Sequence, residues 1–217
     1  DSIFAYDPSF MTPHGAIILR PGKVKRRKEV EVHRRFYEAL GIPIVGEITG
    51  EGTLEGGDCF WLNSSTLAVG RGFRSNENGI HQIKDILSDL DINVVPFDLP
   101  PQDDADACLH LMSVISPLDH DLALIYEPLM PNNLQGVLKD FGYDLLSAPV
   151  NEFELSYGLS LNVLAVSERN VIAIEGFDET RALMENAGCV VSTFSGDELC
   201  IPCEGGPTCL TRPVLRK

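Results

Sequence analysis

The chain has 217 residues, 44% of them hydrophobic, and a formal net charge of −15. That is enough apolar material for one full core, so a single catalytic domain over residues 1–217 is expected. The acidic balance repels phosphate backbones and no apolar run reaches roughly 18 residues, so nucleic acid and membrane are not expected partners and a cytoplasmic location is.

Along the chain, GAIILRPG (15–22) reads as strand and turn, and residues 24–40 as a helix carrying apolar Val32, Phe36 and Leu40. The run KVKRRKEVEVHRR (23–35) holds seven of the 17 basic residues and reads most simply as a solvated helix face. CFWL and TLAVG (59–70) form a predicted hairpin across Asn63-Ser64-Ser65. Helix 75–90 follows, with Ile80, Ile83, Ile86, Leu87 and Leu90 on one side, and then the loop-like PPQDDADA (100–107). CLHLMSVISPL and DLALIYEPL (108–129) come next, the CLHLM part with strand-like alternation, then helix 133–141 and a strand at Leu145. LNVLAV and NVIAIEG (161–176) pair across Ser167-Glu168-Arg169, before helix 178–187 and strand 189–194. Asp1–Arg20 is expected to be the tail of another unit, and Pro207–Leu215 a closing strand that holds Cys209.

These elements repeat. EALGIPIV, SDLDINVV, KDFGYDLL and ENAGCVVS mark helix ends whose turn residues are Gly41, Asp91, Gly142 and Gly188, at spacings of 50, 51 and 46. A period near 50 implies stacked or propeller-like units. Glu55, His110, Asn162 and Cys209 follow those turns by 14, 19, 20 and 21 residues. Equivalent positions around an axis would point at one centre, and a carboxylate, an imidazole, an amide and a thiol there make a nucleophilic site. Gly205 and Gly206 let the backbone approach another group just ahead of the thiol. Taken singly, each residue has a plainer reading: a core histidine, a turn acid, a backbone-bonding amide, a small buried thiol. The six cysteines read mostly as reduced thiols, with disulfides left open by the even count. Cys200-Ile-Pro-Cys203 alone is weak evidence for a metal or redox module.

DSIFAYDP (1–8), RPGKVKRRKE (20–29), LEGGD (54–58), VGRGFRSN (69–76), CLHLMSV (108–114) and GGPTCLTRP (205–213) together resemble the guanidine-modifying (pentein) superfamily of dimethylarginine dimethylaminohydrolases, arginine deiminases and amidinotransferases. The resemblance implies an α/β fold, a five-bladed propeller of ββαβ repeats with pseudo-fivefold symmetry, and no metal or other cofactor. Family members carry about one more ββα stretch ahead of DSIFAYDP, so an amino-terminal portion is expected to be missing. By motif, Cys209 matches the nucleophile and His110 the general acid/base. Glu55 and Asp7 match carboxylates that grip a guanidinium, with Asp58 and Asn162 beside them. Arg26 and Arg74 match arginines that bind an α-carboxylate, and Asp1 a residue near the substrate's amino end. The expected partner is therefore a small guanidino amino acid, hydrolysed to an amine and a citrulline-type product; a homodimer is compatible. Arginine deiminase or dihydrolase activity, amidino transfer to an amine, and an inactive or thiol-metal relative are the alternatives. Arginine deiminases carry an acid two residues after the histidine, where this chain has Met112. On a strand Met112 would share the face of His110, which would favour a methylated guanidinium.

Overall fold

The structure, a computed structural model, describes residues 2–101 and 109–214. Asp1, Cys108 and the far end of the expected closing strand at Leu215 lie outside the described residues, as does most of the expected loop 100–107.

The ββαβ unit is built four times among the described residues. In the first, β1 (Ser9–Thr12) and β2 (Gly15–Ile18) form an antiparallel hairpin, α1 (Val30–Ala39) crosses, and β3 (Ile44–Glu47) returns parallel to β2. The second unit is β4 (Cys59–Asn63), β5 (Thr66–Arg71), α2 (Glu77–Ser88) and β6 (Asn93–Asp98). The third is β7 (Ile115–Pro117), β8 (Leu122–Ile125), α3 (Leu134–Asp140) and β9 (Asp144–Ser147). A short helix, α4 (Val150–Leu155), precedes the fourth: β10 (Leu164–Ser167), β11 (Asn170–Ile174), α5 (Asp178–Asn186) and β12 (Val190–Phe194). Each set is its own three-stranded sheet with the middle strand second in chain order. A hairpin can join the antiparallel pair, but the parallel pair needs a crossover, and the helix supplies it. The described residues divide into two compact units: 2–101, 109–111 and 212–214 with the first two sheets, and 112–211 with the last two.

The four turn residues read from the repeat all have positive φ: Gly41 at 67°, Asp91 at 58°, Gly142 at 87° and Gly188 at 88°. In each case the next residue donates back to the helix, as Ile42 N–H does to the Tyr37 carbonyl and Cys189 N–H to that of Met184. This left-handed cap satisfies helix carbonyls and turns the chain into the returning strand. The α2 helix starts at Asn76, whose side chain accepts from Gly79 N–H at 2.8 Å. It buries Ile80, Ile83 and Leu87 against Phe10, Leu54 and Leu67. Burial of each is worth about 1.5–3 kcal/mol.

Several expectations are corrected. Residues 9–18 are the first sheet's own hairpin and not the tail of another unit. On α1, Val32, Phe36 and Leu40 are exposed, and Tyr37 is the buried residue, bonded through its hydroxyl to Ser9 Oγ at 2.7 Å. The described part of CLHLM, residues 109–112, holds no strand: Leu111–Ser113 is a 3-10 turn, because Asp58 Oδ1 captures Leu111 N–H at 2.9 Å. The alternation that would put Met112 on the face of His110 therefore does not apply. No strand covers the described part of 207–215: Cys209 sits in a turn after the short helix α6 (Cys200–Cys203).

Candidate functional site

In the first unit, three functional side chains come from segments that flank the elements of the repeat. Asp7 lies two residues ahead of β1, and Glu55 immediately before the 3-10 turn Gly56–Asp58 that leads into β4. His110 precedes the turn Leu111–Ser113. Glu55 is completely buried, and His110, Asp7, Arg26 and Arg74 are nearly so. Buried charge demands partners, and here it has them. Glu55 Oε2 lies 2.7 Å from His110 Nε2. Its Oε1 accepts from Gly22 N–H at 3.0 Å and lies 3.6 Å from Arg74 Nη1. Asp7 Oδ2 accepts from Arg26 Nη1 at 2.6 Å, and Oδ1 accepts from Gly57 N–H at 3.0 Å. Burial works to raise the Asp7 carboxyl, but the charges of His110 and Arg26 with their hydrogen bonds outweigh it and hold it below the usual range. Asp7 is thus ionised wherever the protein is folded near neutral pH.

Two residues differ from expectation. Arg26 does not present an open fork to a substrate carboxylate. Its Nε and Nη2 donate to Glu29 Oε2 at 3.1 and 3.0 Å, Nη2 also donates to the Phe4 carbonyl at 2.9 Å, and Nη1 holds Asp7. Burial lowers its pKa, but Asp7 and Glu29 more than offset this and hold it above its ordinary value. Asp58 is fully buried and faces backbone rather than solvent: it accepts from Ser75 Oγ and from Leu111 N–H. Burial raises its pKa to about 6 against a partial lowering by His110 and these hydrogen bonds. Ser75 Oγ also accepts from Glu55 N–H at 3.1 Å, so Asp58 and Ser75 fix the backbone beside both His110 and Glu55.

The glycines of LEGGD are seats. A Cβ on Gly57 would stand 2.6 Å from His110 Nδ1 and 2.7 Å from its Cγ, so the imidazole rests on bare backbone. Arg212 stacks its guanidinium 3.7 Å above the Tyr6 ring and donates to the Tyr6 carbonyl, bracing the residue before Asp7.

The second unit brings together Asn162 and Cys209, both half-buried. Asn162 Nδ2 donates to Cys209 Sγ at 2.9 Å, and its Oδ1 accepts from Thr208 N–H at 3.1 Å. Thr208 Oγ1 donates to the Val163 carbonyl at 2.6 Å. The close approach expected at Gly205-Gly206 is made by Gly206 onto the Asn162 amide: a Cβ there would lie 2.7 Å from Asn162 Cγ. Cys59, Cys189, Cys200, Cys203 and Cys209 are all thiols. Asp1 lies outside the described residues.

Ser75, Thr208, Gly57 and Gly22 escaped the sequence reading as site residues. Ser75 stands beside Arg74 in VGRGFRSN and Thr208 beside Cys209 in GGPTC, so adjacency was the available signal. Among the described residues, the side-chain groups close enough to share a metal ion are Asp7–Glu55–His110 and Asp119–His120–Glu168; neither includes Cys200 or Cys203. No helix among the described residues is long and apolar enough to cross a membrane.

Known proteins resemble this chain in sequence and fold. The model of a family described as arginine deiminase matches residues 1–144. The chain is 28% identical over 211 residues to an N(G),N(G)-dimethylarginine dimethylaminohydrolase of Pseudomonas aeruginosa, covering 97% of this chain and 76% of that protein. Over 129 residues it is 31% identical to the enzyme of that name from Streptomyces coelicolor, covering 59% of this chain but 47% of the relative. A crystal structure of a dimethylarginine dimethylaminohydrolase adduct with 4-chloro-2-hydroxymethylpyridine superimposes with a TM-score of 0.80 at 26% identity, over 97% of this chain and 77% of the other.

Proposed function

From the premise that this chain belongs to the arginine deiminase family, a family within the guanidine-modifying superfamily, we propose that it is a thiol-dependent hydrolase of a guanidino amino acid, releasing an amine and a citrulline-type product. The observation that carries this reading is the fully buried Glu55 carboxylate set 2.7 Å from His110 Nε2, beside an Asp7 held ionised by Arg26. A carboxylate on the imidazole fixes the orientation in which the ring hands a proton to the leaving amine. Asp7 keeps lone pairs beyond its bonds to Arg26 and Gly57, and these suit the N–H edge of a guanidinium.

In this reaction the Cys209 thiolate attacks the guanidinium carbon and a C–S bond forms. The C–N bond to the leaving amine then breaks as His110 gives that nitrogen its proton. His110, now neutral, takes a proton from water, and the hydroxide adds to the S-alkylthiouronium carbon. The C–S bond breaks, the ureido product leaves and the thiolate returns. Arg74, buried and 3.6 Å from Glu55, keeps the expected assignment to an α-carboxylate within the proposal. Arg26 serves instead to hold Asp7. The same reading takes the four ββαβ units as blades of a five-bladed propeller forming one catalytic domain.

The test is a panel of arginine, methylated arginines, agmatine and guanidino acids, scored for ureido product and released amine, with wild type and Cys209→Ser. Turnover of a carboxylated guanidine by wild type, lost in the serine variant, is expected. No product from any member, or equal turnover by the serine variant, contradicts the reading. Adding glycine or ornithine to the panel reveals transfer to an amine in place of hydrolysis.

A further inference from the structure

The sulfur of Cys209 is held by a neutral amide in a way that leaves the amide no alternative orientation. Asn162 Oδ1 accepts Thr208 N–H at 3.1 Å, so the acceptor end of the amide is already committed to a backbone donor. The end that faces Sγ at 2.9 Å is therefore the NH₂ group, a donor. Gly206 lies flat on the same amide, where a Cβ would stand 2.7 Å from both Cγ and Oδ1. The backbone on either side is tied as well: Asn162 N–H donates to the Leu159 carbonyl at 3.1 Å, and Thr208 Oγ1 to that of Val163 at 2.6 Å. These contacts lie within the second compact unit and involve no substrate.

We propose that Asn162 is a positioning residue for the nucleophile, which holds the Cys209 sulfur in one orientation and offers it a hydrogen bond that strengthens when the thiol ionises. The proposal rests on the reading of Cys209 as the nucleophile. A hydrogen bond donated to the charged form favours that form. The amide has no charge of its own to gain or lose, so the assistance is the same at every pH and precedes the arrival of a cationic substrate. A purely structural Asn162, closing the turn by its bond to Thr208, would affect stability and leave the ionisation of the thiol where it was.

The experiment is the pH dependence of Cys209 alkylation by iodoacetamide in substrate-free protein, read on the Cys209 peptide by mass spectrometry so that the other thiols do not contribute. Asn162→Ala removes the donor. Asn162→Asp keeps the acceptor for Thr208 N–H but sets a carboxylate against the sulfur. The apparent thiol pKa is expected to rise by about one unit or more in the alanine variant and further in the aspartate variant, where like charge is added. An unchanged value in Asn162→Ala, or a rise confined to Asn162→Asp, overturns the proposal. If the alanine variant gives no cooperative melt, Gly206→Ala serves in its place, because it displaces the amide without removing it. The same upward shift is then expected, and none would overturn the proposal. Because no substrate is used, a panel without turnover and an unmoved thiol are separate failures.

Discussion

The two compact units assemble chemistry in opposite ways. In the first, Asp7, Arg26, Glu55, Arg74 and His110 are ionisable side chains taken almost completely out of water, each matched to a partner of opposite charge or to backbone N–H. In the second, Asn162 and Cys209 meet as an amide and a thiol, half-buried. A buried charged set is stable only as a whole, since removing one partner strands another. A half-buried amide–thiol pair strands no buried ion pair when it is changed and is adjusted by one hydrogen bond. Substitutions in the first unit should therefore be large and coupled, and those in the second graded.

The largest effect is expected from Glu55→Gln. It removes the charge of the carboxylate that lies 2.7 Å from His110 Nε2 and 3.6 Å from Arg74 Nη1, so turnover should fall by roughly 10³–10⁴-fold, the scale of losing an acid/base orienter. Steady-state kinetics on whichever guanidine the panel identifies gives the number. A fall of less than tenfold would mean that the buried pair is structural.

The glycine seats sharpen the comparison. Gly57→Ala drives a methyl into the His110 ring, and a loss of about 10²-fold in kcat with 1–3 kcal/mol of stability is expected. Gly206→Ala presses on an uncharged, half-buried amide and strands no buried charge, so its cost in kcat should be about tenfold or less. Equal losses from the two substitutions would erase the distinction drawn between the units.

A separate effect, on stability and with no change in turnover required, concerns Asp58. Its folded-state pKa, about 6, lies above the ordinary 3.8. Between these values the unfolded chain binds fewer protons than the folded one, so stability falls as pH rises through that window. The shift corresponds to something on the order of 2–3 kcal/mol. Asp7, whose pKa is lowered, acts in the opposite sense and at lower pH, where its contribution is lost as pH falls. Urea unfolding of Asp58→Asn against wild type at pH 4 and pH 7 isolates the effect: the variant should gain on the wild type as pH rises. A difference that does not change with pH would show that Asp58 titrates normally.

Elements with strong local signals were legible in the sequence. The turn residues Gly41, Gly142 and Gly188 mark left-handed caps that glycine adopts without strain, and α2 repeats its isoleucines at helical spacing. Tertiary pairing was not legible. Arg26 looked like one member of a solvated basic run, but its partner Asp7 is 19 residues away. CLHLM alternates like a strand, and only the carboxylate of Asp58, 53 residues earlier, draws Leu111 into a turn. Cys209 was expected on a closing strand over Pro207–Leu215. Thr211 Oγ1 instead bonds locally to the Pro207 carbonyl, and Thr208 Oγ1 to the distant Val163 carbonyl, and the segment is a turn. Val32 and Phe36 looked like a core face, and a helix alone cannot say which side meets its sheet.

The central claim is that Cys209 and His110 serve one reaction on a guanidinium carbon. Acid quench of His110→Ala during incubation with the substrate panel, followed by peptide mass spectrometry, tests it most directly. Without His110 to protonate the leaving amine and to activate water, ureido product should fall to background for every member of the panel, and any thiouronium trapped should lie on the Cys209 peptide. A variant that forms product at the wild-type rate, or an adduct found on a cysteine other than Cys209, would contradict the account.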